Sequence, residues 1–433
     1  MALQPSSAAV VGGGIGGLAA AIALLRAGWD VRVYEQAGLR SEVGAGIQLA
    51  PNCTRILRGF GVLPAVERVA VRPTTFEFRR WDDGRLLSAT PLGDAIERSY
   101  GAPYLHAHRA DLVAVLAAAV PAECVEVGRR CVGVEHHDGP AKIRFADGSS
   151  AAADLVVGAD GIHSAVRQAL FGDERPTFTG HVAYRGLVPA ERVPSLDRRC
   201  TVRLGPGAHL VHYFVSAGRL LNVVCVTEEG AWTRESWTDR GDVAELRAAF
   251  ACWHPDVREI VGALEAPLKW ALFDRDPFPR WSRGVVTLLG DACHPMLPYG
   301  AQGAAQAIED AAALPRASPT ARTSRRRWPG TSRRDARGRR GCRRSPGATA
   351  SASTCRTGTG SGPGTRRWRR ASGCPPTSTG STGTDRPDRT RPASRRAARG
   401  ARAGGRGGRS RWRAPARPAG RPGPPPARPR RAR

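Results

Sequence analysis

The chain has 433 residues, long enough for two packed domains with sizeable cores. Its net charge of +28 would suggest a nucleic-acid or membrane partner if it were evenly spread. It is not: residues 1–314 carry 32 Lys+Arg against 35 Asp+Glu, while residues 315–433 carry 34 against 3. The body is therefore an ordinary, nearly neutral globular sequence, and a polycation reading is excluded for it.

Seven of the ten cysteines lie in the body, scattered and without a CxxC pair. That fits a reducing cytoplasm better than a disulfide framework. The long apolar run Ala8 to Ala27 is interrupted by five glycines and lacks a basic start, which argues against both a signal peptide and a membrane span.

In chain order, Ala8–Val11 is a short apolar strand leading into glycines. Leu18 to Arg26 is Ala/Leu-rich and predicts a helix, with Gly28 as its stop signal. Val31–Glu35 alternates as the next strand, so the chain opens as a βαβ unit and predicts a parallel sheet. Leu112–Val120 predicts a further helix and Asp154–Ala159 a buried strand. Between His181 and Asp274 the stretches Val182–Val188, Thr201–Leu204, His209–Val215 and Arg219–Thr227 predict a separate, mostly antiparallel sheet. Val285–Gly290 and Ala304–Leu314 then return to the first texture. The expected class is α/β: a discontinuous Rossmann-like domain (1–70, 100–180 and 276–314) and a β-sheet substrate domain (71–99 and 181–275). Beyond Leu314 the chain is Arg, Gly, Pro, Ser and Thr, with no apolar face of either period, so 315–433 predicts a basic disordered tail.

Gly12-Gly13-Gly14-Ile15-Gly16-Gly17 contains GxGxxG in the strand–helix context that gives the motif meaning. Gly12 permits the turn, Gly14 lets backbone approach a pyrophosphate, and Gly17 lets the helix pack on the sheet. Glu35 ends the next strand, where a carboxylate can accept from a ribose hydroxyl. The chain offers no second GxGxxG in that context, which implies one tightly held dinucleotide and at most a transient second one. Gly290-Asp291 follows a buried strand, and Asp291 stands where ligands bind in open α/β sheets. Pro298 to Gly303 then opens the next helix, whose N–H groups can face an anion. Cys293 and His294 are adjacent, but no third ligand stands at a usual metal spacing, so no metal is expected.

These three elements, with Asp160-Gly161 inside GADGIHSAVR, resemble the fingerprints of the group A flavoprotein monooxygenases. SEVGAGIQLAPN from Ser41, HRADL from His108 and YRGLVP from Tyr184 are most similar to its salicylate hydroxylase and 3-hydroxybenzoate 6-hydroxylase branch. The resemblance covers roughly residues 7–314. It implies that Gly12, Gly14, Gly17, Glu35, Gln48, Arg109, Asp160, Asp291 and Gly303 hold FAD, with NADH or NADPH as a transient co-substrate. His209, Tyr213 and Gln302 match the branch's aromatic-substrate positions. Four apart on one strand, His209 and Tyr213 would share a face, His209 taking the phenol proton and Tyr213 bonding a phenolate or carboxylate. The implied chemistry is hydroxylation of a small phenolic acid by O2 through a flavin hydroperoxide. Gly300 departs from the pattern, where relatives commonly carry a bulkier residue.

Alternative readings are a hydroxylase of a larger polyketide-like or N-heterocyclic ring, an NAD-dependent dehydrogenase, and a basic nucleic-acid-binding protein acting non-specifically through the tail. A homodimer is compatible with the sequence. The abrupt break at Leu314 suggests a shifted reading frame. One offset regroups the codons of Pro315–Ser332, Ala352–Gly358 and Thr379–Thr384 into strings expected of this family's C-terminal helices. On that reading the chain as written is a damaged hydroxylase.

Overall fold

The computed structural model describes residues 6–38, 45–136, 139–173, 176–230 and 240–316. The predicted tail from 317 onward and Ser41–Gly44 lie outside the described residues.

The N-terminal βαβ unit forms as its composition dictates. The strand Ser7–Val11 is almost wholly buried and pairs in parallel with Asp30–Glu35 on one side and Leu155–Gly158 on the other. The helix between begins at Ile15, directly after the glycine turn and three residues before the expected Leu18. It ends at Arg26, with Gly28 in the left-handed conformation (φ 81°). The parallel sheet runs in the order Ser282–Arg283, Val286–Leu288, Leu155–Gly158, Ser7–Val11, Asp30–Glu35, Val125–Val127. Its first pair is antiparallel. The helix predicted over Leu112–Val120 forms at Arg109–Ala117, because the strand Leu105–His108 feeds straight into it. Arg109 therefore sits in its first turn. A three-stranded sheet (Cys131–Glu135, Ala141–Phe145, Ser150–Ala153) packs beside this domain and was not anticipated.

The second sheet has seven strands in the order Leu268–Asp274, Thr177–Pro189, Leu220–Glu228, Ala208–Val215, Cys200–Gly205, Thr75–Arg80, Leu86–Pro91. It is antiparallel except that Cys200–Gly205 runs parallel to Thr75–Arg80, a strand contributed from far upstream. Period-two alternation divides its faces. On the strand Ala208–Val215, Leu210 and Phe214 pack with Leu246, Phe250, Val257 and Ile260 of two covering helices. Val211, Tyr213 and Val215 belong to the opposite face. That face also meets Leu297 and Tyr299, from the loop after the Gly290–Asp291 turn. The loop after the parallel strand Val286–Leu288 thus packs against this face of the seven-stranded sheet, and the space beside it is the candidate cleft.

Candidate cofactor and substrate site

The glycine turn has the shape a dinucleotide requires. Gly12 has φ 106°, and a Cβ there would run into the Ala159 carbonyl; one at Gly17 would overlap the Gly12 carbonyl. At Gly14 a Cβ would meet only Arg109 Nη2, at 3.9 Å, so the turn is open on that side and the guanidinium stands across it. The helix that follows has no side-chain cap and no acid in its first turn. Free N–H groups on one side and a cation on the other form a cradle suited to a pyrophosphate. Glu35 holds the turn: Oε2 accepts from Gly13 N (2.6 Å) and Oε1 from Ala37 N (2.8 Å).

Asp160 braces the neighbouring turn. Its carboxylate accepts from Ser164 Oγ (2.5 Å) and Val166 N (3.1 Å), at the start of the helix Ala165–Phe171. Enclosure by protein raises its carboxyl above the usual range, and those two bonds pull it back. Gly161 has φ 77°. Asp291 differs, because no protein donor is recorded for it among the described residues. Its surface is exposed, although protein surrounds it closely. Desolvation raises its carboxyl, opposed by His294, Arg109 and Arg275. An unengaged carboxylate at a strand's C-terminal end is placed to accept hydroxyl hydrogen bonds. Gly303 begins the helix Gly303–Ala313, and a Cβ on it would lie 3.9 Å from Asp291 Oδ1.

Sequence spacing offered Cys293 and His294 no third metal ligand, but the fold supplies Asp310, whose ligand atom lies within 4.8 Å of theirs. Asp310 is already committed: Oδ2 contacts His294 Nε2 (2.5 Å) and accepts from Gly290 N (3.0 Å). The trio ties the Gly290 turn to the following helix.

On the substrate side, the His209 ring lies 5.7 Å from the Tyr299 ring, and Tyr213 lies 4.3 Å from His106. Burial lowers His209 to about 4, so it is neutral at physiological pH and offers a lone pair. Burial also pushes the Tyr213 hydroxyl upward, keeping it protonated and a donor. Gln302 accepts from Asn52 Nδ2 (3.0 Å), which fixes its amide at the start of the last helix. Gln48 accepts from the Tyr104 hydroxyl (2.5 Å) and donates to Cys200 Sγ (3.4 Å), so it ties the strand Gly46–Leu49, which pairs with Leu105–His108, to the seven-stranded sheet.

Several residues of this wall were not singled out from sequence. Asn222, fully buried, accepts from Gly46 N (2.6 Å) and leaves its Nδ2 without a partner. A Cβ on Gly46 would collide with Asn222 and Tyr213, so that glycine lets the strand Gly46–Leu49 approach the substrate sheet. Tyr104 and His106 flank the HRADL stretch with strand alternation, a signal that was available. Arg185 lies within the YRGLVP stretch, but nothing in its local pattern told its side chain's surroundings.

The site and fold define a flavin-nucleotide-binding protein with an apposed β-sheet wall. The family model described as FAD binding domain matches residues 6–214 and 219–317, and the chain belongs to that family. It is 48% identical over 305 residues to 3-amino-4-hydroxybenzoate 2-monooxygenase PtmB3 of Streptomyces platensis (70% of this chain, 77% of the relative). It is 43% identical over 316 residues to 6-hydroxynicotinate 3-monooxygenase of Bordetella bronchiseptica (71% and 81%). It is 37% identical over 310 residues to 3-hydroxybenzoate 6-hydroxylase of Polaromonas naphthalenivorans (70% and 77%). Among solved structures, Klebsiella pneumoniae HpxO complexed with FAD and uric acid superposes with TM-score 0.67 at 30% identity (77% of this chain, 84% of that one). A salicylate hydroxylase substrate complex gives 0.66 at 28% (81% and 88%). The expected FAD-dependent aromatic monooxygenase family is therefore the right one. No described helix is long and apolar enough to cross a membrane.

Proposed function

We propose that this chain hydroxylates a small phenolic acid, using FAD, O2 and NADH or NADPH. The single observation that carries the reading is that the sheet face bearing His209 and Tyr213 meets Tyr299, from the loop between Asp291 and the Gly303 helix, and the strand that begins at Gly46. Bound FAD would supply the oxygen-transfer chemistry, with one oxygen atom going to the ring and the other to water at the expense of one reduced nicotinamide. The protein binds, orients and excludes water. Gly12, Gly14, Gly17 and Arg109 would hold the pyrophosphate, Glu35 and Asp291 would serve hydroxyl groups, and Asp160 would shape the turn between them. Gln48, Gln302 and Gly303 would line the flavin's ring side. His209 accepts a hydrogen bond from the phenol and so polarises it towards the phenolate, enriching the ring in electron density; Tyr213 donates to the substrate oxygen it faces.

A hydroxypyridine acid is a second reading of the same site, favoured by the likeness to 6-hydroxynicotinate 3-monooxygenase. The enzyme works in the cytoplasm, consistent with the buried free thiols of Cys53, Cys200, Cys225 and Cys293. A homodimer fits the reading, and nucleic acid would be bound only non-specifically, through a translated tail.

The test is substrate-stimulated oxidation of NADH and NADPH by FAD-loaded protein across hydroxybenzoates, aminohydroxybenzoates and hydroxynicotinates, with labelled O2. Label in a product carrying one added oxygen supports the proposal. Nicotinamide oxidation that no aromatic stimulates, with no labelled product, overturns it.

A further inference from the structure

We infer that Arg185 seats the carboxylate of the aromatic substrate, which makes the substrate class an aromatic hydroxy acid and not a neutral phenol. The inference rests on the hydroxylase reading above and narrows it.

Arg185 lies in the strand Thr177–Pro189, opposite Val224 on one neighbour and Leu268 on the other. Its guanidinium stands 4.6 Å over the Trp270 ring. Val224, Trp270 and the partly buried Leu268 belong to one apolar cluster with Leu297 and Tyr299, the cleft wall that faces His209. The Arg185 Nε is shut off from solvent and has no hydrogen-bond partner, and no ion pair is recorded for Arg185 among the described residues. Burial pulls the guanidinium's pKa down.

An arginine does not shed its proton inside a protein. A partly exposed guanidinium whose Nε is buried beside valine, leucine and tryptophan, with no counter-ion recorded among the described residues, carries a cost that an arriving anion relieves. Its planar fork matches a carboxylate through two parallel hydrogen bonds, and ring stacking on Trp270 fixes the plane of that fork. His209, Tyr213 and Tyr299 on this wall are neutral at physiological pH, and none of them supplies the missing negative charge. The strand Leu220–Glu228 separates Arg185 from the His209–Tyr213 strand, so their backbones stand about 10 Å apart. One aromatic ring fits between side chains converging from those two strands. It would carry its carboxylate at Arg185 and its phenol at His209.

The experiment uses the FAD-loaded full chain and two probes, 3-amino-4-hydroxybenzoate and 3-amino-4-hydroxybenzamide. Binding is followed by tryptophan fluorescence, with Trp270 beneath the guanidinium as reporter. Wild type should bind the acid about tenfold or more tighter than the amide. Arg185→Gln should remove that preference while amide binding and FAD content stay unchanged, and Arg185→Lys should restore part of it. Equal wild-type affinity for acid and amide, or an acid preference that survives Arg185→Gln, overturns the inference; the wild-type comparison stands even if a variant fails to fold. Selective acid binding without hydroxylation would sink the hydroxylase reading alone. Hydroxylation of neutral phenols in preference to acids would sink the carboxylate seat alone.

Discussion

His209 and Tyr213 project from the same face of one strand and are held by different partners: His209 by the Tyr299 ring at 5.7 Å, Tyr213 by the His106 ring at 4.3 Å. Tyr299 belongs to the turn that precedes the Gly303 helix, and His106 to the strand that leads into the Arg109 helix. Each substrate-wall side chain is thus positioned by an element that also carries a proposed FAD contact. His209→Ala should lower kcat by about 100-fold with little change in FAD content, because it removes a proton acceptor and no part of the cradle. Tyr213→Phe should act mainly on KM, by about tenfold. Steady-state kinetics on the best substrate of the panel checks both; unchanged kcat in His209→Ala would remove it from the chemistry.

The cradle makes a separable prediction. Arg109→Ala leaves the Gly14 turn intact but takes away its cation, so FAD affinity should fall about 10- to 100-fold while the fold persists. Gly17→Ala instead places a Cβ against the Gly12 carbonyl and should cost the fold itself. Flavin fluorescence titration alongside circular dichroism distinguishes the two. Equal flavin loss and equal unfolding in both variants would contradict the assignment.

The βαβ unit, the parallel sheet and the mostly antiparallel sheet, and the strand-end place of Asp291, were legible because short-range signals encode them: glycines at fixed offsets, a change of hydrophobic period, an acid at a strand end. The surroundings of Asn222 and Arg185 were not legible. They arise where strands distant in sequence meet, such as Gly46 against Asn222 and Arg185 beside Trp270. The same limit hid Asp310 behind Cys293 and His294, since the fold and not the spacing brings it there. The parallel pair of Cys200–Gly205 with Thr75–Arg80 was likewise beyond a reading of local alternation.

Three histidines, His106 and His212 buried and His209 half-buried, set the acid side of the stability curve. Burial lowers His106 to about 3 and both His209 and His212 to about 4, against an ordinary value of 6.5. The unfolded chain therefore binds more protons than the native one between those limits, and stability rises with pH there. The contribution is fully present above about pH 6.5 and is lost as pH falls towards 4. Asp160 and Asp291, raised by enclosure, act in the opposite sense, above the ordinary carboxylate value. Thermal melts between pH 7 and pH 4 should show a falling Tm that His212→Asn makes shallower. A melt curve identical in that variant and wild type would exclude His212 from the effect.

Gly300 tests how the cleft sets specificity. A Cβ added there meets nothing within 4 Å, and Ala301 beside it already adopts φ 50°. A larger apolar residue is therefore compatible with the backbone, and its absence leaves room in the turn that carries Tyr299. Gly300→Met should preserve FAD content and Tm while shifting kcat/KM towards smaller rings in the hydroxy-acid panel. An unchanged substrate ranking would show that this turn does not border the substrate.

The break at Leu314 has a physical consequence. The family match ends at residue 317, close to where the composition changes. Beside the end of the last described helix, Ala23, Ala27, Ile56, Phe60, Ala312 and Pro315 line a largely apolar groove of about 370 Å3. Exposed apolar surface forfeits about 25 cal/mol per Å2 of burial, against a total stability of about 5–15 kcal/mol for a typical protein. We expect the chain as written to bind FAD substoichiometrically and to melt lower than a protein expressed from a gene with the frame restored after Leu314. A one-base insertion or deletion in the codons for Ala311 to Ser318 is the change to look for by sequencing. If the frame stands and the purified chain is monodisperse with one flavin per protein, residues 315–433 are a genuine basic appendage. Salt-dependent binding to DNA, lost on truncation at Leu314, then becomes the property to measure.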